Sequence, residues 1–295
     1  MNIKNIFIFL GMPAKVGSLL IILAVTSGRN ILAQDDLIVR QTNWYFNTSL
    51  QLAGGNFIYN SYSNILSLYG GIGYQKDNFG ISFSIPVVGN NNNFISQSGG
   101  MMLPIGNSQN GYQNSPGGGG MMGGRNPMSS SAGMNWGLGD LYIISNYQLL
   151  SENNSFSDVI LNAQIKFPTA SSHMGIGTGQ FDYGASVTFR KSFDTFVAIA
   201  DLGYLNIGDP SGITYENPFT YAFGLGKFFN DGRYSLLLYY SAYTEVVKGY
   251  EAPKQISLGI NYKINENLIL TGIGSAGLSK FTPAYTFSGG VRIGI

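Results

Sequence analysis

Residues 158–167 show the chain's pattern most plainly. Val159, Leu161, Ala163, Ile165 and Phe167 fall on one side; Asp158, Asn162, Gln164 and Lys166 fall mostly opposite them. Period two predicts a strand with one apolar and one polar face. The same alternation predicts strands near residues 43–52, 65–74, 79–87, 137–150, 181–190 and 195–206. It recurs near 219–225, 234–245, 255–263, 268–277 and 285–293. Pro86 fits the end of the third strand, because proline cannot donate to a central ladder.

The connections between these strands alternate in length. Residues 76–78, 151–157, 191–194, 230–232 and 265–267 make short turns, with Asn230, Asp231 and Gly232 a strong turn signal. Residues 54–64, 88–135, 169–179, 207–217, 246–253 and 278–284 make longer ones. Outer-membrane barrels have short periplasmic turns and long extracellular loops. A soluble sandwich has no reason to keep that parity. The expected fold is all-β: a transmembrane antiparallel β-barrel of about twelve strands, its ends on the periplasmic side.

Composition agrees. Of 295 residues 11% are charged, under half the roughly 25% usual in soluble domains. Glycine is abundant, with 41 residues, and tyrosine and phenylalanine contribute 19 each. Mean hydropathy is only +0.08, as expected where lipid-facing and lumen-facing residues alternate. Beyond the N-terminus no apolar run approaches the roughly 18 residues of a spanning helix. A net charge of +1 gives no case for nucleic acid. The absence of cysteine excludes disulfides and thiolate metal sites.

Two segments stand apart from the barrel at 34–295. Residues 1–33 resemble a cleaved export signal: Lys4 and Lys15 precede the apolar stretch 16–25, and Ile31, Leu32 and Ala33 precede Gln34. Residues 88–135 hold Asn90, Asn91, Asn92 and Asn93, the glycines 117–120, and one charge, Arg125. Little apolar surface is there to offset ordering, so the segment is expected to be a long mobile extracellular loop. A loop folded into the lumen as a plug is the other reading.

Gly137, Leu138, Gly139 and Asp140, then Lys166, Phe167, Pro168 and Thr169, then Gly177, Thr178, Gly179 and Asp182 form three short signatures. In this order and spacing they resemble the "meta-pathway of phenol degradation" family of outer-membrane transporter-like barrels. The resemblance covers residues 136 to about 295. Two positions depart from it: Ala170 follows Thr169 where the family has Gly, and the chain ends in Ile295 rather than Phe. The resemblance implies a barrel and passage of small, aromatic or apolar compounds.

Lumen charges can be placed by height. Asp140, Lys166, Asp182, Asp201 and Glu245 fall in the extracellular half; Asp158, Arg190, Lys263 and Arg292 fall near the periplasmic mouth. The upper set either contacts solute as a selectivity ring or, for Asp140, Lys166 and Asp182, braces the wall as a salt-bridge network. Met101, Met102, Met121 and Met122 are weak candidates for a soft metal ion, since thioethers suit Cu(I). His173, the one histidine, has no nucleophile constellation around it, so no enzyme is expected. Trp44, Tyr74, Tyr147, Tyr204, Phe219, Tyr234 and Tyr262 suit interface girdles. The expected function is a passive outer-membrane channel for small solutes, without cofactor, inserted into the lipid bilayer by the outer-membrane assembly machinery. The alternative is a display barrel whose methionine- and glycine-rich loop binds a metal or partner.

Overall fold

The computed structural model describes residues 44–59, 61–91, 95–105, 134–153, 156–170, 176–210 and 212–295. The export-signal reading of residues 1–33 lies outside them. The first strands are β1 Trp44–Gly55, β2 Ser63–Lys76 and β3 Phe79–Asn90. Two short pieces follow, β4 Ile95–Ser98 and β5 Met101–Pro104. Next come β6 Asn135–Leu138, β7 Leu141–Leu150, β8 Asp158–Phe167, β9 Asp182–Phe193 and β10 Phe196–Asn206. The chain closes with β11 Phe219–Phe229, β12 Tyr234–Tyr243, β13 Lys254–Asn265, β14 Leu268–Gly277 and β15 Tyr285–Gly294.

Every neighbour pairs antiparallel, and β1 pairs with β15, so the sheet closes on itself. Taking β6 and β7 as one interrupted strand, the barrel has twelve strands, each where alternation places one. Closure leaves no edge, the condition for backbone to cross a bilayer.

The faces are inverted relative to a protein in water. Leu50, Leu202, Phe223, Leu225 and Phe287 stand outside, each more than half exposed. Ser49, Gln51, Ser67, Thr188, Asn261 and Arg292 are buried inside. Apolar patches of that extent mark a surface made for something other than water. Aromatics gather at both ends: Trp44 on Tyr74 and Tyr234 on Tyr262 at the short-turn end, Tyr204 on Phe219 at the other.

Two features differ from the sequence reading. Pro86 does not end its strand; β3 runs on to Asn90. The ladder opposite is what breaks: β7 pairs with β3 up to Tyr142 and Ser84, and β6 resumes at Leu138 and Val87. Gly139 and Asp140 lie in the gap, and the Gly139 N–H donates to the Pro86 carbonyl at 2.7 Å. Proline has no N–H to give back, so the strand steps out of register there.

The second feature lies within 88–135, expected to be patternless. Residues 95–104 form a hairpin, β4 on β5, with Ser98 opposite Met101. Gly99 and Gly100 make its two-residue turn with φ of +57° and +81°, the left-handed pair that such hairpins require. The hairpin crosses the lumen. Met101 and Leu103 pack with Leu205, Tyr243 and Phe281, while Ile95 and Met102 pack with Ala53, Phe57 and Ile65. Residues 92–94 and 106–133 lie outside the described part.

Candidate functional site

The three signatures meet at one buried point, toward the end of the barrel with the long connections. Lys166, at the end of β8, faces Asp182, which opens β9, in direct cross-strand register. Its ammonium lies 2.6 Å from Asp182 Oδ2 and 3.7 Å from Asp140 Oδ2, and donates to the Thr178 hydroxyl at 3.0 Å. Lys166, Asp140 and Asp182 are 2%, 3% and 1% exposed, so solvent screens none of these charges. The other oxygen of each carboxylate takes a main-chain N–H. Ala170 N–H donates to Asp140 Oδ1 at 2.9 Å, and Gly208 N–H donates to Asp182 Oδ1 at 3.0 Å.

Around this knot the other signature residues have mechanical parts. Thr169 Oγ1 accepts from Leu141 N–H at 2.9 Å and donates to the Gly139 carbonyl at 3.2 Å, holding the strand break from behind. Gly177 must be glycine: a Cβ there would stand 2.5 Å from the Ala170 Cβ and 3.2 Å from the Asp140 carboxylate. Buried ion pairs of this kind resist loss of one partner far more than they add net stability.

The remaining charges are also engaged. Asp201 Oδ2 accepts from Thr188 at 2.6 Å and Ser186 at 3.0 Å, turning toward β9. Glu245 sits exposed on the loop after β12, where its carboxylate accepts from Gly249 N–H. In the other half of the lumen Arg190 pairs with Asp158 at 2.5 Å. Arg292 stacks on the Tyr45 ring, 3.7 Å from its centre. Lys263 reaches Glu266 at 2.6 Å beside a short turn.

Next to the charged β7–β9 wall, β10–β12 line the lumen differently. Val197, Ile199, Leu237 and Tyr239 form a buried apolar cluster with Ala222. Further along the same strands, past the buried Asp201 and Ser241, Leu205 and Tyr243 belong to a second cluster beneath the hairpin. The β7–β9 wall is ionic and braced; the neighbouring β10–β12 wall carries two apolar patches.

The hairpin is held by tyrosines that the sequence reading did not single out. Tyr142 donates to the Gln97 carbonyl at 2.6 Å, Tyr243 to the Gly99 carbonyl at 2.8 Å and Tyr215 to the Pro104 carbonyl at 2.5 Å. Tyr69 donates to the Gln97 side chain. A signal existed: Tyr69 lies on the face of β2 opposite Leu66 and Leu68, where a girdle aromatic would not be. Cavities of about 40 and 30 Å³ flank the hairpin. They suit a few waters, whereas roughly 150 Å³ is the scale that admits an aromatic ring.

Met101 and Met102 enter different clusters, because adjacent strand residues point opposite ways. Their thioethers therefore do not converge on one ion. Met121, Met122 and His173 lie outside the described residues.

Comparison with known proteins adds the following. The family model described as "Putative MetA-pathway of phenol degradation" matches residues 107–293, more than half of the chain. No curated protein matches the sequence. Among solved structures, the COG4313 outer membrane channel of Pseudomonas putida F1 superposes with a TM-score of 0.57 at 10% identity, covering 86% of this chain and 96% of that one. The CymD monoaromatic hydrocarbon channel superposes with a TM-score of 0.51 at 11% identity, covering 92% and 95%. At such identities the likeness is one of fold.

Proposed function

We propose that this chain, which belongs to the family described as "Putative MetA-pathway of phenol degradation", is a passive outer-membrane channel for small apolar or aromatic solutes. One observation carries the reading: the lumen wall along β10–β12 carries two buried apolar clusters, one beneath the hairpin and one toward the short-turn end. A water-filled porin has little use for such a wall, whereas an apolar solute gains roughly 25 cal/mol for each Å² it hides there. Both structural relatives bear the word channel in their descriptions, and one is a monoaromatic hydrocarbon channel. The long connections then face outward and the short turns face the periplasm, as in other barrels of this type.

In this reading Asp140, Lys166 and Asp182 brace the wall at the strand break rather than meet solute, since buried Lys166 pairs with both carboxylates. Asp201 belongs to the same framework, and Glu245 shapes a rim loop. Passage is driven by concentration and needs no cofactor or reaction. The test is influx of a small aromatic solute into proteoliposomes. Protein-dependent influx that falls when Ile199 and Leu237 are both changed to Asn is expected. Influx unaffected by that change would mean that solute does not pass along this apolar cluster.

A further inference from the structure

The hairpin's contacts describe the kind of molecule that could replace it. Three of its four tyrosine contacts end on main-chain carbonyls, those of Gln97, Gly99 and Pro104. A carbonyl oxygen can only accept, so Tyr142, Tyr243 and Tyr215 all donate into the space the hairpin fills. They come from β7, β12 and the loop after β10, and so surround that space. Between them the walls are apolar at Leu205 and Phe281 on one side and Ala53 and Ile65 on another, and polar at Gln51, Gln255 and Ser275. Without the hairpin this is a chamber with apolar walls at two clusters and several inward hydroxyl donors.

The hairpin is also an imperfect occupant. The Ser96 and Ser98 hydroxyls are buried with no hydrogen-bond partner among the described residues, which works against its seat. Its fit at the tip depends on glycine: a Cβ at Gly99 would lie 2.7 Å from the Leu205 Cδ2.

We infer that the hairpin occupies a solute-binding chamber, and that the solutes which displace it are small apolar molecules carrying an oxygen acceptor for Tyr142, Tyr215 and Tyr243. The inference rests on the channel reading and adds the solute class and the gating contact to it. A bare hydrocarbon replaces the methionine and leucine side chains but leaves the donors without acceptors. An aromatic ketone, aldehyde or ether replaces both.

Acetophenone and ethylbenzene share a ring and a two-carbon substituent and differ by the carbonyl oxygen. In single-channel recordings of the refolded chain, acetophenone should raise the open fraction on the order of tenfold more than ethylbenzene at equal concentration, the scale of one satisfied buried donor. The Tyr142→Phe/Tyr243→Phe pair should show a higher resting open fraction and little preference between the two solutes. A variant with residues 95–104 replaced by Gly and Ser, its folding checked by heat-modifiable migration, should conduct continuously and ignore both. If that variant conducts but the native chain answers both solutes equally, or neither, the inference is overturned and the channel reading stands. If the folded variant is silent, the channel reading fails and takes the inference with it.

Discussion

The knot at Lys166 and the hairpin at 95–104 lie side by side in the same half of the lumen, both buried, and they are held by different physics. The knot joins three charges whose carriers are pinned by strand register and main-chain hydrogen bonds. Removing one partner strands buried charge, which costs about 3–5 kcal/mol. The hairpin is held by neutral hydrogen bonds and by Ile95, Met101, Met102 and Leu103. Each such side chain contributes about 2 kcal/mol and each hydrogen bond about 1 kcal/mol. Ordering ten residues opposes this at about 1–2 kcal/mol each. The two sides come within a few kcal/mol of each other. A fixed wall beside a nearly balanced insert is what a gated passage needs.

The comparison breaks first at Lys166. Lys166→Met leaves Asp140 and Asp182 facing each other without a cation, and should cost about 3–5 kcal/mol in denaturant unfolding of the folded barrel in micelles. Replacing residues 95–104 by Gly and Ser should change that stability far less while transforming conductance. Stability losses in the reverse order would mean that the hairpin, not the knot, holds the barrel together.

A finer test uses the chain's lack of cysteine. Leu103 is fully buried, so in a Leu103→Cys background the rate of thiol labelling reports hairpin release. Gly99→Ala adds a Cβ at positive φ against Leu205 and should raise that rate by about the factor that 1–2 kcal/mol allows, some 5- to 30-fold. Tyr142→Phe removes one donor and should raise it by about fivefold, corresponding to about 1 kcal/mol. No change with either would mean that the hairpin is locked by contacts other than these.

The smallest effect lies at the short-turn end. Burial pushes the Glu152 carboxyl up, but hydrogen bonds from Ser192 and the Lys191 ammonium outweigh it and hold the group below its ordinary 4.5. A lowered pKa stabilises the fold above the unfolded value and loses that contribution as pH falls from about 4.5 through the folded value. Glu152→Gln should flatten the stability profile slightly in that window and leave it unchanged near neutrality. An equal slope in both proteins would assign the acid sensitivity elsewhere.

Much of the barrel was legible because lipid outside and polar lumen inside impose period two on every strand. Loop parity added an independent constraint, and strand ends such as Phe167 and Asn206 fell as expected. The grouping of Asp140, Lys166 and Asp182 followed from placing lumen charges by height. The hairpin was harder to see. Its strands are four residues each, too short for alternation to stand out, and flanking Asn and Gly runs mask them. Gly99 and Gly100 were the signal available. Pro86 misled for a related reason: local chemistry forbids a donor there, and only the partner strand reveals that the break falls at Gly139 and Asp140 instead.

The most direct measurement is single-channel conductance in a planar bilayer, comparing the refolded chain with the variant in which residues 95–104 are Gly and Ser. The native protein should remain closed for most of the record, with brief openings, and the variant should give sustained steps of uniform size. Equal conductance in the two proteins, or silence from the correctly folded variant, would contradict a channel closed by its own hairpin.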